Sequence, residues 1–129
     1  MSVLELSFVY TVGAMGYGGL EMLWRGRTHW TMLLLGGLCF LAIYLITLYL
    51  PGRVWLKWLL CAAVITALEF GAGCLLNLRL GWAVWDYRGL PGNLLGQVCP
   101  LYACYWYLLS IPCSGFAQLI RMFVFVSSG

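Results

Sequence analysis

Four apolar stretches, each about as long as the hydrocarbon core of a bilayer is thick, take up nearly all of this 129-residue chain. They cover residues 4–24, 30–50, 54–78 and 94–115, with only short polar breaks between them. A helix rising about 1.5 Å per residue crosses about 30 Å of hydrocarbon in roughly 20 residues. Backbone groups in lipid must be paired within their own segment, so such runs fold as helices rather than open strands. Composition points the same way. The chain is 64% hydrophobic and 9% charged, where a soluble domain carries roughly 25% charged residues. The expected fold is an all-α membrane protein, a single transmembrane domain over residues 1–129. It is multi-pass in the cell membrane, with the lipid bilayer as its first partner.

The breaks carry the punctuation that such helices need. Arg25 to His29 separates the first two stretches, and Pro51-Gly52-Arg53 separates the second from the third. Pro and Gly close helices. Trp24, Trp30, Tyr49, Trp55, Trp82 and Trp85 bracket the breaks, as expected of rings with an apolar body and a polar tip at the headgroup layer. The N-terminal MSVLELSF has no Lys or Arg and carries Glu5. It is a poor cleavable signal, so the first stretch is expected to stay as an anchor.

The net charge of +3 is spread over single residues, with no basic run to suggest nucleic acid as a partner. The six cysteines form no CxxC pair and read as small buried hydrophobes, with no metal site expected.

The third connection differs from the others. Residues 79–93, RLGWAVWDYRGLPGN, are too apolar for a plain loop and too interrupted for a span. The expectation is a partly buried irregular segment between helices three and four, because such backbone is tolerated at depth only under protein cover. The tail, residues 118–126, either extends the fourth helix or turns along the interface.

Arg25, Arg27, Arg79 and Arg88 lie on one side, against Arg53, Lys57 and Arg121 on the other. A four-to-three bias places the first group in the cytoplasm under the positive-inside rule. It also leaves room for dual topology and an antiparallel dimer.

Glu69 is the most informative single residue. It lies about midway along the third stretch, where a carboxylate costs several kcal/mol unless paired or protonated. Ala62, Thr66, Gly73 and Asn77 share its helix face, a small and polar face suited to meeting another helix. In the first stretch Thr11, Ala14, Gly18 and Glu21 form a comparable stripe, with Glu21 one turn from Arg25 as a natural ion pair.

Asp86 lies between Trp85 and Tyr87, with Arg79 and Arg88 at hand to anchor it. Asn93 is placed to cap the fourth helix, and Gln97 to face the bundle with Cys104 and Ser114. His29 sits in a loop, open to headgroups or water.

No GxxxxGK[ST], HExxH, GxSxG or dinucleotide fingerprint occurs, so motif-based catalysis has no foothold and no cofactor is expected. Residues 17–40 and 85–101 do carry a resemblance. Trp85, Asp86, Tyr87, Pro91, Asn93, Gly96, Gln97, Val98 and Cys99 spell WDYxxxPxNxxG[QR][IV]C. With Glu21 and Glu69, this element resembles the ABC-transporter type IV family of small bacterial membrane proteins, the CmpB-like proteins. The resemblance covers about residues 10–112, and Tyr17 stands where that pattern has glycine. It implies transport and an ATPase supplied by a partner subunit. It brings no substrate or catalytic residues with it.

The reading that follows is a small transporter or channel subunit for a small cationic solute, acting as a homo-oligomer and not as an enzyme. Glu69 lines the path with Thr66 and Asn77, and Glu21 and Asp86 lie near its mouth. Trp85, Tyr87, Arg88, Asn93 and Gln97 support them. Two other readings share these residues. One is a membrane-embedded enzyme or lipid-binding protein using Glu69 and Asp86. The other is an accessory subunit whose polar groups only join helices.

Overall fold

The computed structural model describes residues 3–26, 29–82 and 84–125. Four helices follow one another: α1 (Val3–Arg25), α2 (Trp30–Tyr49), α3 (Val54–Gly73) and α4 (Pro100–Ile120). α3 runs on into a π-helical stretch, Cys74–Arg79, and α4 into another, Arg121–Phe125. Among the described residues there is no strand, only an isolated bridge between Leu94 and Val98. α2 and the run Val54–Arg79 are each long and apolar enough to cross a membrane.

Local chemistry accounts for the helix borders. His29 caps α2, its Nδ1 accepting from the Thr31 amide at 3.3 Å, so it is a helix cap and not an open loop residue. α2 stops before Pro51, whose ring cannot continue the amide ladder. Lys57 Nζ then donates to the Thr47 carbonyl at 3.2 Å, a cation on the otherwise orphaned acceptors of a helix C-terminus.

The fourth helix begins later than its apolar pattern suggests, at Pro100 instead of Leu94. Cys99 before it is extended, with φ −153° and ψ 158°, as a residue preceding proline prefers. Pro100 occupies the first turn, where its missing N–H costs nothing. Asn93 therefore caps no helix. The tail extends α4 as a π-helical stretch through Phe125.

α2 is the central helix. α1, α3 and α4 all pack on it, and α3 also packs on α4. The α1–α2 contact is close because its contact points are glycines. A Cβ on Gly37 would stand 2.8 Å from the Tyr10 ring and 2.9 Å from the Tyr10 carbonyl oxygen. The carbonyl belongs to a helix backbone and cannot swing aside. Gly37→Leu is therefore expected to destabilise the bundle by about 1–3 kcal/mol through overpacking, read as a shift in the unfolding midpoint in detergent micelles.

The expected α1 stripe turns inward in part, with Gly18 and Glu21 buried and Ala14 half-buried. Thr11 faces outward and returns its hydroxyl to the Ser7 carbonyl at 2.8 Å. The inward row is Glu5, Val9, Gly13, Tyr17 and Glu21, with Tyr17 half-buried. This is an i+4 ridge, the row that packs into a neighbouring helix's grooves.

Three apolar clusters fill the interior. Val9, Phe40, Tyr44, Ala117 and Ile120 join α1, α2 and α4; Ile43, Ile46, Cys61 and Ile65 join α2 and α3; and Met32, Val84 and Trp85 join α2 to the segment after α3. Outside them the surface is leucine-rich, with Leu23 at 88% and Leu108 at 59% exposure. Meanwhile Glu5, Glu21 and Glu69 are all buried. Apolar residues outward and carboxyls inward is the polarity of a protein solvated by lipid.

Candidate functional site

The expected α3 face does turn inward. Ala62, Glu69 and Gly73 are buried, as helical spacing requires. Glu69 retains 3% of its accessible surface. Its Oε2 accepts a hydrogen bond from the Tyr87 hydroxyl at 3.1 Å, while its Oε1 is buried with no partner among the described residues. The Trp106 indole N–H is a second donor beside the carboxyl, short of full hydrogen-bond geometry.

Tyr87 reaches Glu69 because the segment after α3 folds back beneath the bundle. The Asn77 side chain holds its start, accepting from the Val84 amide at 2.6 Å and donating to Gln97 Oε1 at 2.8 Å. The Trp85 indole donates to the Gln97 carbonyl at 3.0 Å, and the Tyr87 amide to the Gly96 carbonyl at 2.8 Å. Leu94 N–H donates to the Val98 carbonyl at 2.9 Å and closes the turn. The Tyr87 ring stacks on Tyr102 of α4, centroids 4.6 Å apart. The polar network is thus almost fully satisfied, which makes the segment a rigid floor rather than a loose loop.

Above that floor lies a cavity of ≈ 440 Å³ with walls from all four helices. Tyr17 of α1, Cys39 and Phe40 of α2, Glu69 of α3, and Trp106 and Phe116 of α4 define it. Glu69 supplies the one carboxyl among the described lining residues, in an otherwise apolar and aromatic wall. Its volume is that of a small-molecule pocket, about 300–1,000 Å³. Among the described residues, no three His, Cys, Asp or Glu side chains gather to hold a metal ion.

The other expected site residues fall elsewhere. Glu21 is buried and takes the Tyr17 hydroxyl at 3.4 Å, but it does not line the cavity. Its expected pairing with Arg25 involves a side chain outside the described ones, and Arg27 is likewise outside them. Thr66 and Asn77 do not line the cavity either; Thr66 Oγ1 is buried without a partner, and Asn77 serves the floor.

Asp86 is exposed and held by Arg88 at 2.8 Å, away from the cavity. The hydrogen bonds from Arg88 keep its carboxyl below the usual carboxylate range. Asn93 ties the turn instead of a helix, donating to the Arg88 and Leu90 carbonyls and accepting from the Gly96 amide. Gln97 is buried beneath α3, while Cys104 faces outward.

Tyr17, Phe40 and Trp106 were not among the expected site residues. A weak signal for Trp106 existed, since Trp106, Leu109, Cys113 and Phe116 recur at helical spacing on one face of α4. Nothing in sequence told that face from a packed one.

No curated protein and no solved structure matches the chain. A family model does, over residues 8–127, and it includes both Glu69 and the whole floor segment. The chain thus belongs to the family described as Putative ABC-transporter type IV, and is a membrane protein of that group.

Proposed function

We propose that this protein is a four-span subunit of a transport system in the cell membrane, and that the cavity at Glu69 is where its solute, a small cation, is held. The observation that carries this reading is the Glu69 carboxyl itself, the one acidic group among the described lining residues, buried in a cavity bounded by all four helices. A buried carboxyl in an otherwise apolar cavity costs several kcal/mol unless it is protonated or paired, which favours a positively charged occupant.

The family description connects the group with ABC transporters. With no nucleotide-binding motif in the chain, the reading includes a partner subunit that supplies the ATPase. It also includes self-association. Gly19, Gly71 and Gly115 leave open space where a Cβ would stand, and small residues let transmembrane helices approach closely. The enzyme reading loses ground, because Asp86 is exposed and ion-paired with Arg88 instead of facing Glu69.

Glu69→Gln preserves shape and the bond from Tyr87 while removing the charge. In vesicles reconstituted with the protein, downhill flux of rubidium, guanidinium and tetraethylammonium is the measurement. At least one of the three is expected to move through the wild type and to fall to the empty-vesicle rate in the variant, with the unfolding midpoint retained. Equal flux in both proteins would remove Glu69 from the path. A lowered midpoint with no change in flux would make it a purely structural residue.

A further inference from the structure

Taking the cavity as the solute site, we infer that its occupant is a lipophilic monocation that enters sideways from the bilayer, rather than a hydrated inorganic ion. The inference rests on the reading just given and narrows its substrate class. A bare inorganic cation needs roughly six oxygen ligands to replace its water. The described lining provides one carboxylate, with carbon and ring atoms nearly everywhere else. An organic cation brings its own apolar shell and needs only a single counter-charge.

The rings suit the same guest. Tyr17, Phe40, Trp106 and Phe116 line the cavity around Glu69, and aromatic faces attract organic cations when water is excluded. Gly16 leaves the wall open on the α1 side, where an added Cβ would meet nothing within 4 Å.

The entrance is read from exposure. Gly16 and Leu20 of α1, and Pro112 and Phe116 of α4, all line the cavity and are all exposed. The opening therefore faces the gap between α1 and α4, on the leucine-covered flank of the bundle. Among the described residues, the floor segment reaches the cavity only through the Tyr87–Glu69 hydrogen bond and offers no second opening residue to it. A guest reaching this opening must already be dissolved in hydrocarbon, which selects apolar cations over hydrophilic ones.

The test uses the full chain in detergent, with tetraphenylphosphonium as the cation and triphenylphosphine oxide as an uncharged analogue of similar bulk. Equilibrium dialysis of the wild type is expected to show saturable binding of the phosphonium, with the oxide bound at least about 10-fold more weakly and 0.1 M sodium or potassium failing to compete. Glu69→Gln is expected to weaken phosphonium binding by about 30-fold or more. Gly16→Leu, placed at the rim, is expected to slow association without changing the preference for charge.

Equal binding of the charged and uncharged compounds by the wild type overturns the inference whether or not any variant folds. So does Glu69-dependent rubidium flux in vesicles with no phosphonium binding, an outcome that leaves the transport reading standing. Charge-selective, Glu69-dependent binding with no flux of any cation supports the inference and overturns the transport reading.

Discussion

Replacing Glu5 with leucine is expected to destabilise the bundle by about 3 kcal/mol, the low end for removing one partner of a buried pair. Glu5 lies in the first turn of α1 yet retains only 5% exposure. Its Oε2 accepts from the Tyr44 hydroxyl at 2.5 Å and from Arg121 at 3.2 Å. Arg121 in turn donates to the Tyr49 hydroxyl at 2.6 Å, and its guanidinium lies 5.6 Å from the centre of that ring. One carboxyl thus joins the start of α1, the second half of α2 and the start of the π-helical stretch after α4.

Leucine there would leave Tyr44 without its acceptor and Arg121 without its counter-charge. The low end applies because 32% of the Arg121 side chain stays exposed, which lets solvent screen part of the loss. The measurement is denaturant unfolding in micelles. The double variant Glu5→Leu/Arg121→Leu should be more stable than the sum of the two single losses, since no uncompensated charge remains. Strict additivity would show that the pair is not coupled.

Gly73→Leu is expected to have a large effect, and a local one. A Cβ at this position would stand 2.6 Å from Gln97 Oε1 and 2.9 Å from both Gln97 Cβ and Trp85 Cζ2. Neither neighbour can yield cheaply. Gln97 is engaged with Asn77 and the Leu95 carbonyl, and Trp85 with the Gln97 carbonyl. The floor must therefore leave α3, taking Tyr87 from Glu69, at an overpacking cost of about 1–3 kcal/mol. Hydrogen exchange should quicken across residues 84–99 and stay slow in α1 and α2. Asn77→Ala, which removes the side chain holding Val84 and Gln97, should give the same pattern more mildly. Uniform quickening throughout the chain would mean that the floor is not a separate unit.

Much of the architecture was legible because the relevant physics is local. The length of each apolar stretch, Pro51, and the tryptophans at the breaks suffice to place four helices and an irregular insert. The helical spacing of Ala62, Glu69 and Gly73 on α3 suffices to turn that face inward. The late start of α4 was also written in the chain, in Pro100, but the apolar run of Leu94, Leu95 and Val98 masked it. Those residues serve a closed turn instead of a helix. Leu95 adopts a positive φ of 54° there, which apolarity alone cannot reveal.

The site itself was only half legible. A carboxylate amid apolar residues announces itself, because burying it is costly wherever the fold puts it. What surrounds it depends on contacts between residues far apart in sequence. Asp86 and Tyr87 are neighbours in the chain, yet one points to solvent beside Arg88 and the other reaches Glu69. The i+4 row that turns inward on α1, and with it Tyr17, follows from how α1 crosses α2.

Taken by itself, the sequence determined an all-helical, lipid-suited chain with Glu69 turned inward on its third helix, since hydropathy and helical period act over a few neighbouring residues. Only the tertiary structure decided that Glu69, Tyr87 and Trp106 meet, and that a cavity opens between α1 and α4. Packing fixes which side chains converge, and no period within a single helix encodes that.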